Sequence, residues 1–173
     1  MRNTNVRLLL ISALILNVAI AAKTPSKIAE ADLSSATQKN LKAEVIFQTV
    51  PEGLKITADA TGLTPNTTHG FHVHQVGKCE GPDFKTAGDH FNPTNMKHGS
   101  PKSEMSHMGD MGNLVANAKG EAHMEMILKK DEAKDLQEFA GKSVIIHAKA
   151  DDFKTQPSGD SGARIACGVI KMN

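Results

Sequence analysis

The segment THGFHVHQVGKCE, residues 68–80, places His72 and His74 one residue apart. In an extended strand, positions two apart share a face and the residues between them face the other way. Both imidazoles therefore point to one side, and Phe71 and Val73 to the other. Such a strand anchors itself in an apolar core while presenting two nitrogen donors side by side, which suits copper or zinc. For this motif alone, the alternative is two solvated histidines on an exposed strand face. Further donors follow downstream: GDHFNP carries His90, KHG carries His98, SHMGD carries His107 and Asp110, and VIIHAKADD carries His147 ahead of Asp151. GARIACGVI then adds Arg164 and Cys167.

These side chains need a scaffold, and short alternating segments supply it. LKAEVIFQTV and LKITADATGL flank PEG, a hairpin signal, and HGFHVH forms a third strand. NLVANAKGEAHMEMIL reads as two strands turning as a hairpin at Lys119-Gly120, followed by SVIIHAKA and RIACGVIK. Short strands with closely spaced turn signals predict an all-β domain, a sandwich or barrel. Residues 75–112 and 150–163 do not fit strands, and long loops in compact domains are functional or disordered. KKDEAKDLQEFAG could hold one helical turn or simply form a solvated face. Residues 23–40, rich in Ala and Ser and without an apparent apolar period, read as a mobile tether, with order expected from Leu41.

The first residues belong to a different class of segment. Arg2 and Arg7 precede an apolar run, Leu8–Ile20, and then small residues that admit cleavage after Ala21 or Ala22. Residues 1–22 thus read as a signal peptide. An uncleaved anchor is the alternative, though the run is shorter than the roughly 20 residues a span needs. Export, to a periplasm or the cell exterior, makes Cys79 and Cys167 a disulfide pair. The chain-entropy model gives that pair an upper value of about 4 to 5 kcal/mol. Two buried free thiols are the alternative. The formal charge is +1, and without Arg2 and Arg7 it becomes −1, from 18 basic and 19 acidic residues. No global basic field therefore exists for nucleic acid or an anionic membrane. With neither Trp nor Tyr, stacking platforms for bases or sugars are also few.

Taken in order, the motifs HGFHVH, GDHFNP, KHG, SHMGD, VIIHAKADD and ARIACG resemble those of copper/zinc superoxide dismutases of the secreted bacterial type. The resemblance runs from about Leu41 to the end. It implies an eight-stranded antiparallel Greek-key barrel over residues 41–173, with a metal-binding loop and an electrostatic loop. It also implies copper held by His72, His74, His90 and His147, and zinc held by His90, His98, His107 and Asp110, with His90 shared. Asp151 matches a carboxylate that joins a copper-ligand ring to a zinc-ligand ring. Arg164 matches the guide for the superoxide anion, with Lys149 and Lys154 adding local positive potential. The implied reaction converts two superoxide anions to oxygen and hydrogen peroxide, with His90 as both ligand and proton relay. His69 takes a packing role, and His123 is solvated. Met96, Met105, Met108 and Met111 cluster near the zinc motifs; core or loop packing is the reading preferred over a thioether copper site. The short segments 75–78 and 153–163 depart from the eukaryotic pattern, so the subunit contacts do not carry over, and a monomer or a homodimer remains open. An exported copper-delivery protein and a zinc-only relative are the rival readings.

Overall fold

The computed structural model describes residues 28–101, 103, 105–129, 133 and 135–173. The signal peptide expected at 1–22 lies outside the described residues. Among the described residues there are nine strands: β1 (Ile28–Ser34), β2 (Lys42–Val50), β3 (Gly53–Thr61), β4 (Thr68–His74), β5 (Asp110–Val115), β6 (Ala122–Lys129), β7 (Ser143–His147), β8 (Arg164–Val169) and β9 (Lys171–Met172). They form one antiparallel sheet in the order β5-β4-β7-β8-β1-β2-β3-β6, with β9 paired to β1. Eight strands thus make the path of a nearly closed barrel, in agreement with the expected all-β Greek-key class.

β1 overturns the tether expected at 23–40 over residues 28–34, while residues 23–27 lie outside the described residues. Ala29, Ala31 and Leu33 alternate inward and are almost fully buried, while all seven residues of the strand pair with β2. The alternation is present in the sequence, but two of its three inward positions are alanine, whose small side chain gives only a weak apolar signal. The other edge of β1 lies close to β8, where a Cβ on Gly168 would stand 2.5 Å from the Asp32 carbonyl oxygen.

The PEG hairpin forms as expected, with Val50 opposite Gly53. The segment NLVANAKGEAHMEMIL does turn at Gly120, which adopts φ +76°, but it is not a hairpin. β5 pairs with β4 and β6 pairs with β3, so the two strands joined by this turn are the two ends of the sheet path. Local sequence marks the turn; which neighbour each strand selects is a long-range matter. The first long loop also ends earlier than expected, because Asp110 already opens β5. The helical turn foreseen near residue 136 is a single 3-10 turn, Leu136–Glu138, capped by Asp135 and Glu138 in a reciprocal capping box.

Core composition explains where the histidines face. Phe71 and Val73 of β4 and Val144 and Ile146 of β7 join Phe47, Ile56, Leu114 and Phe139 in the main core. By alternation, His72 and His74 lie on the opposite face of β4. On β7, Ile145 joins a second apolar cluster with Phe84, Ala87 and Cys167. The outer face of β4 and β7 is therefore not solvent-exposed: the long loops cover it, and His72, His74 and His147 are at most 3% exposed.

Candidate metal centre

On this covered face, eight donor positions collapse into two groups. His72, His74, His90 and His147 offer ligand atoms all within 4.8 Å of one another, and so do His90, His98, His107 and Asp110. His90 belongs to both. All seven residues are buried.

Hydrogen bonds decide which nitrogen each ring presents. His72 Nε2 donates to Asp151 Oδ2 at 2.7 Å, which leaves Nδ1 with its lone pair free. His74 Nδ1 donates to the Gly88 carbonyl at 2.9 Å and His147 Nδ1 to the Gly162 carbonyl at 3.3 Å. Their Nε2 atoms then face each other at 3.4 Å. His90 turns Nδ1 toward Asp110 Oδ1 at 2.9 Å, and its Nε2 remains for the first group. His98 Nε2 donates to Asp151 Oδ1 at 2.9 Å, while its Nδ1 lies 3.0 Å from Asp110 Oδ2. His107 Nδ1 lies 3.3 Å from Asp110 Oδ1.

His72 Nδ1, His90 Nε2, His98 Nδ1 and His107 Nδ1 are buried without a hydrogen-bond partner. A buried polar atom without a partner carries a desolvation cost of about 1 to 3 kcal/mol, and here four such atoms point into the two groups. Metal ions relieve that cost. Three or four imidazoles fit a redox copper, and three imidazoles with a carboxylate fit zinc.

In the first group the electrostatics run the same way. Burial pushes His72 down to about 4, against the pull of its Asp151 hydrogen bond. Burial, with nearby His90, holds His74 well below its ordinary value; burial, with His72 and His90, does the same for His147. Burial also lowers His90. Neutral rings are the form that binds metal. Burial works to lower His98 as well, but the negative carboxylates of Asp110 and Asp151 beside it outweigh that and lift the ring to about 9. Burial would raise Asp110, yet His107, His90 and His98 hold it far below the usual carboxylate range. Asp151 is lowered by His72 and His98 in the same manner.

A pH dependence follows for the metal-free protein. His72, His74, His90 and His147 resist protonation when folded, whereas the unfolded chain takes up protons below about 6.5. Stability should therefore fall as pH drops from about 6.5 toward about 4. The contribution of His98, whose value is raised, is fully present throughout that window and does not offset the loss. Thermal melts of chelator-treated protein test this; a midpoint that rises between pH 6.5 and 4.5 would contradict it.

Two side-chain amides fix the surroundings, and sequence reading missed both. Asn113 on β5 clamps the backbone of Asp151: Asn113 Nδ2 donates to its carbonyl at 3.0 Å, and the Asp151 N–H donates to Asn113 Oδ1 at 2.8 Å. Gln156 clamps His98 likewise, at 2.9 Å in each direction. An Asn or Gln among polar loop residues has no distinguishing spacing, so no sequence signal existed.

Arg164 opens β8 and is partly buried. Its Nη1 donates to the Phe84 carbonyl at 2.8 Å and its Nη2 to the Gly88 carbonyl at 2.7 Å. Gly88 thereby accepts from both Arg164 and His74, which ties the guanidinium to a donor ring through one oxygen atom. Cys79 and Cys167 are joined, with Cα atoms 5.6 Å apart. Lys149 and Lys154 are exposed, and Lys149 Nζ stands 3.7 Å from Asp160. His69 is buried and donates from Nδ1 to the His147 carbonyl at 2.7 Å. His123 is exposed beside Asp59 at 2.7 Å. Met111 and Met108 pack against the core, whereas Met96 and Met105 are exposed.

Comparison with known proteins bears on this arrangement directly. A sequence model of the copper/zinc superoxide dismutase (SODC) family matches residues 41–170. Superoxide dismutase (Cu-Zn) 1 of Aquifex aeolicus (strain VF5) is 42% identical over 135 residues, covering 75% of this chain and 79% of that protein. The extracellular superoxide dismutase (Cu-Zn) of Brugia pahangi is 36% identical over 143 residues, 78% of this chain and 71% of its own. A crystal structure of the clock protein EA4 superposes with a TM-score of 0.72 at 31% identity, covering 87% of this chain and 97% of that one. The matched region takes in both ligand-bearing loops and the strands β2 to β8 beneath them, and so the chain belongs to the copper/zinc superoxide dismutase family, a family of oxidoreductases whose cofactors are copper and zinc.

Proposed function

We propose that this chain converts two superoxide anions and two protons to oxygen and hydrogen peroxide, with copper held by His72, His74, His90 and His147 and zinc by His90, His98, His107 and Asp110. The observation that carries this reading is His90, whose two ring nitrogens serve two complete donor sets. Bound copper supplies one-electron redox chemistry, and bound zinc supplies a fixed positive charge.

The protein's own groups account for the rest. His72, His74 and His147 stand on paired strands, each with its second nitrogen occupied, so their lone pairs are aimed before any ion arrives. His90 Nε2 is buried and unpartnered, and it is the atom placed to hold a proton and give it up again. Its Nδ1 stays against Asp110, which keeps the ring from swinging away. Asp151 joins the two halves by accepting from His72 and His98 together. Arg164 stays charged at any working pH and spends only two of its five N–H donors on carbonyls, so donors remain for a diatomic anion.

Export fits the same reading. Residues 1–22 act as a signal peptide, and the domain works in the periplasm or outside the cell, as a monomer or a homodimer. The Cys79–Cys167 bridge supports an oxidising compartment.

The test is a preparation beginning after Ala22, loaded with both metals, on which metal content and superoxide removal are measured together. It should consume superoxide far faster than the copper-free protein. Stoichiometric copper without such activity would favour a copper carrier and end the enzyme reading. If Arg164 attracts the anion, the rate should also fall as ionic strength rises. A flat response would remove Arg164 from that role.

A further inference from the structure

Three of the chain segments that bring ligands to the centre meet at a ring of three backbone hydrogen bonds. The N–H of Val73, the residue between His72 and His74, donates to the Gly109 carbonyl. The N–H of Gly109, which precedes Asp110, donates to the Phe91 carbonyl. The N–H of Phe91, which follows His90, donates to the Val73 carbonyl. Each bond is 2.8 Å, and the last closes the circle. Every residue in the ring is thus a chain neighbour of at least one ligand.

The ring is held firmly on two sides. Val73 is fully buried in β4. The Phe91 ring packs on Phe139 at 5.6 Å, Phe139 packs on Phe47 at 5.6 Å, and Lys142 Nζ sits 4.1 Å above the Phe91 ring. At the third corner there is no room for a side chain. A Cβ on Gly109 would stand 2.3 Å from the Val73 oxygen, 2.9 Å from the Phe91 nitrogen and 3.1 Å from the Phe91 Cβ. None of these atoms is the free end of a flexible side chain. The requirement is for space, since Gly109 is not among the residues with positive φ.

We infer that Gly109 is a positioning residue for both halves of the metal centre. It admits the three-bond ring, which sets His72 and His74, His90, and Asp110 at one mutual spacing. The inference rests on the metal assignment proposed above. A Cβ at 109 pushes the loop off β4, so it separates Asp110 from His90 and His90 from the β4 pair in a single displacement. Copper and zinc should then weaken together, whereas loss of one ligand outside His90 weakens chiefly one ion.

The test compares Gly109→Ala with Gly99→Ala. Position 99 is in the same loop, and a Cβ there meets only ordinary contacts, at 3.6 Å and 3.8 Å. Metal-free forms of the parent and both variants are titrated separately with copper(II) and zinc(II) against a competing chelator, and each metal-free melting midpoint is recorded. Gly109→Ala should bind both ions at least about tenfold more weakly, the scale on which outer supports of metal sites act, while Gly99→Ala stays near the parent. If Gly109→Ala melts lower but binds both ions as the parent does, or loses only one ion, the inference is overturned. If Gly109→Ala does not fold, Val73 is replaced by its α-hydroxy acid, which deletes one ring N–H and adds no bulk. Both affinities should again fall together, and unchanged affinities overturn the inference. A parent that binds neither ion overturns the metal assignment instead.

Discussion

Alanine in place of His147 is expected to leave a folded, zinc-binding protein that no longer removes superoxide. The ring stands at the end of β7 with Nε2 3.4 Å from His74 Nε2, on the side of the centre that excludes His98, His107 and Asp110. The other members of the proposed copper group are held in place: His72 and His74 by β4 and by their bonds to Asp151 and Gly88, and His90 by Asp110. Even outer partners of a metal site are worth about 10 to 100-fold, so loss of a direct donor should reduce the rate by more than about 100-fold. Zinc content should stay at the parent level. Because burial already holds this ring neutral, the metal-free variant should not become more sensitive to acid. A His147→Ala protein that keeps its copper and most of its activity would remove β7 from the site.

Loss of the disulfide should produce the largest stability effect. Cys79 and Cys167 are 88 residues apart in sequence, and for such a loop the chain-entropy model gives about 4 to 5 kcal/mol as an upper value. A Cys79→Ala, Cys167→Ala double variant should show a correspondingly lower denaturation midpoint in urea. The effect should also reach Arg164, the proposed anion guide. Phe84 and Gly88, whose carbonyls hold Arg164, lie on the segment that the bridge ties to β8, and Phe84 packs in the same small cluster as Cys167. Freed from the bridge, this segment no longer fixes the guanidinium, so the remaining activity should depend less on salt. Equal midpoints for parent and variant would show that the small cluster alone holds the segment in place.

The sequence carried the chemistry better than the connections. His72 and His74 fall on one face of β4 because strand alternation is a local rule, and Phe71 and Val73 reach the core for the same reason. The donors in the loops could be listed from the sequence, but their convergence could not be derived from spacing: His98 and Asp151 meet at 2.9 Å although 53 positions separate them. Only the resemblance to a family anticipated that meeting. β1 is faint in the sequence because Ala29 and Ala31 carry little apolar signal, and its place in the sheet comes from pairing with β2 and β8. Read locally, β5 and β6 look like a hairpin because the Gly120 turn is visible, whereas their actual partners are β4 and β3. The supports at Gly88, Gly109, Asn113 and Gln156 act through backbone groups or side-chain amides that no composition or period marks.

The order of strands also bears on how the molecule can be assembled. Among the described residues β1 comes first in sequence, yet it lies between β2 and β8 and pairs with β9 as well, so its neighbours on one side come from far along the chain. Contacts of such high sequence separation close late. A nascent chain halted before Arg164 would leave β1 and β7 with unpaired edges and stay open to protease. Closure of the sheet therefore waits on the segment from Arg164 onward, and the strands before it stay separable until that segment docks.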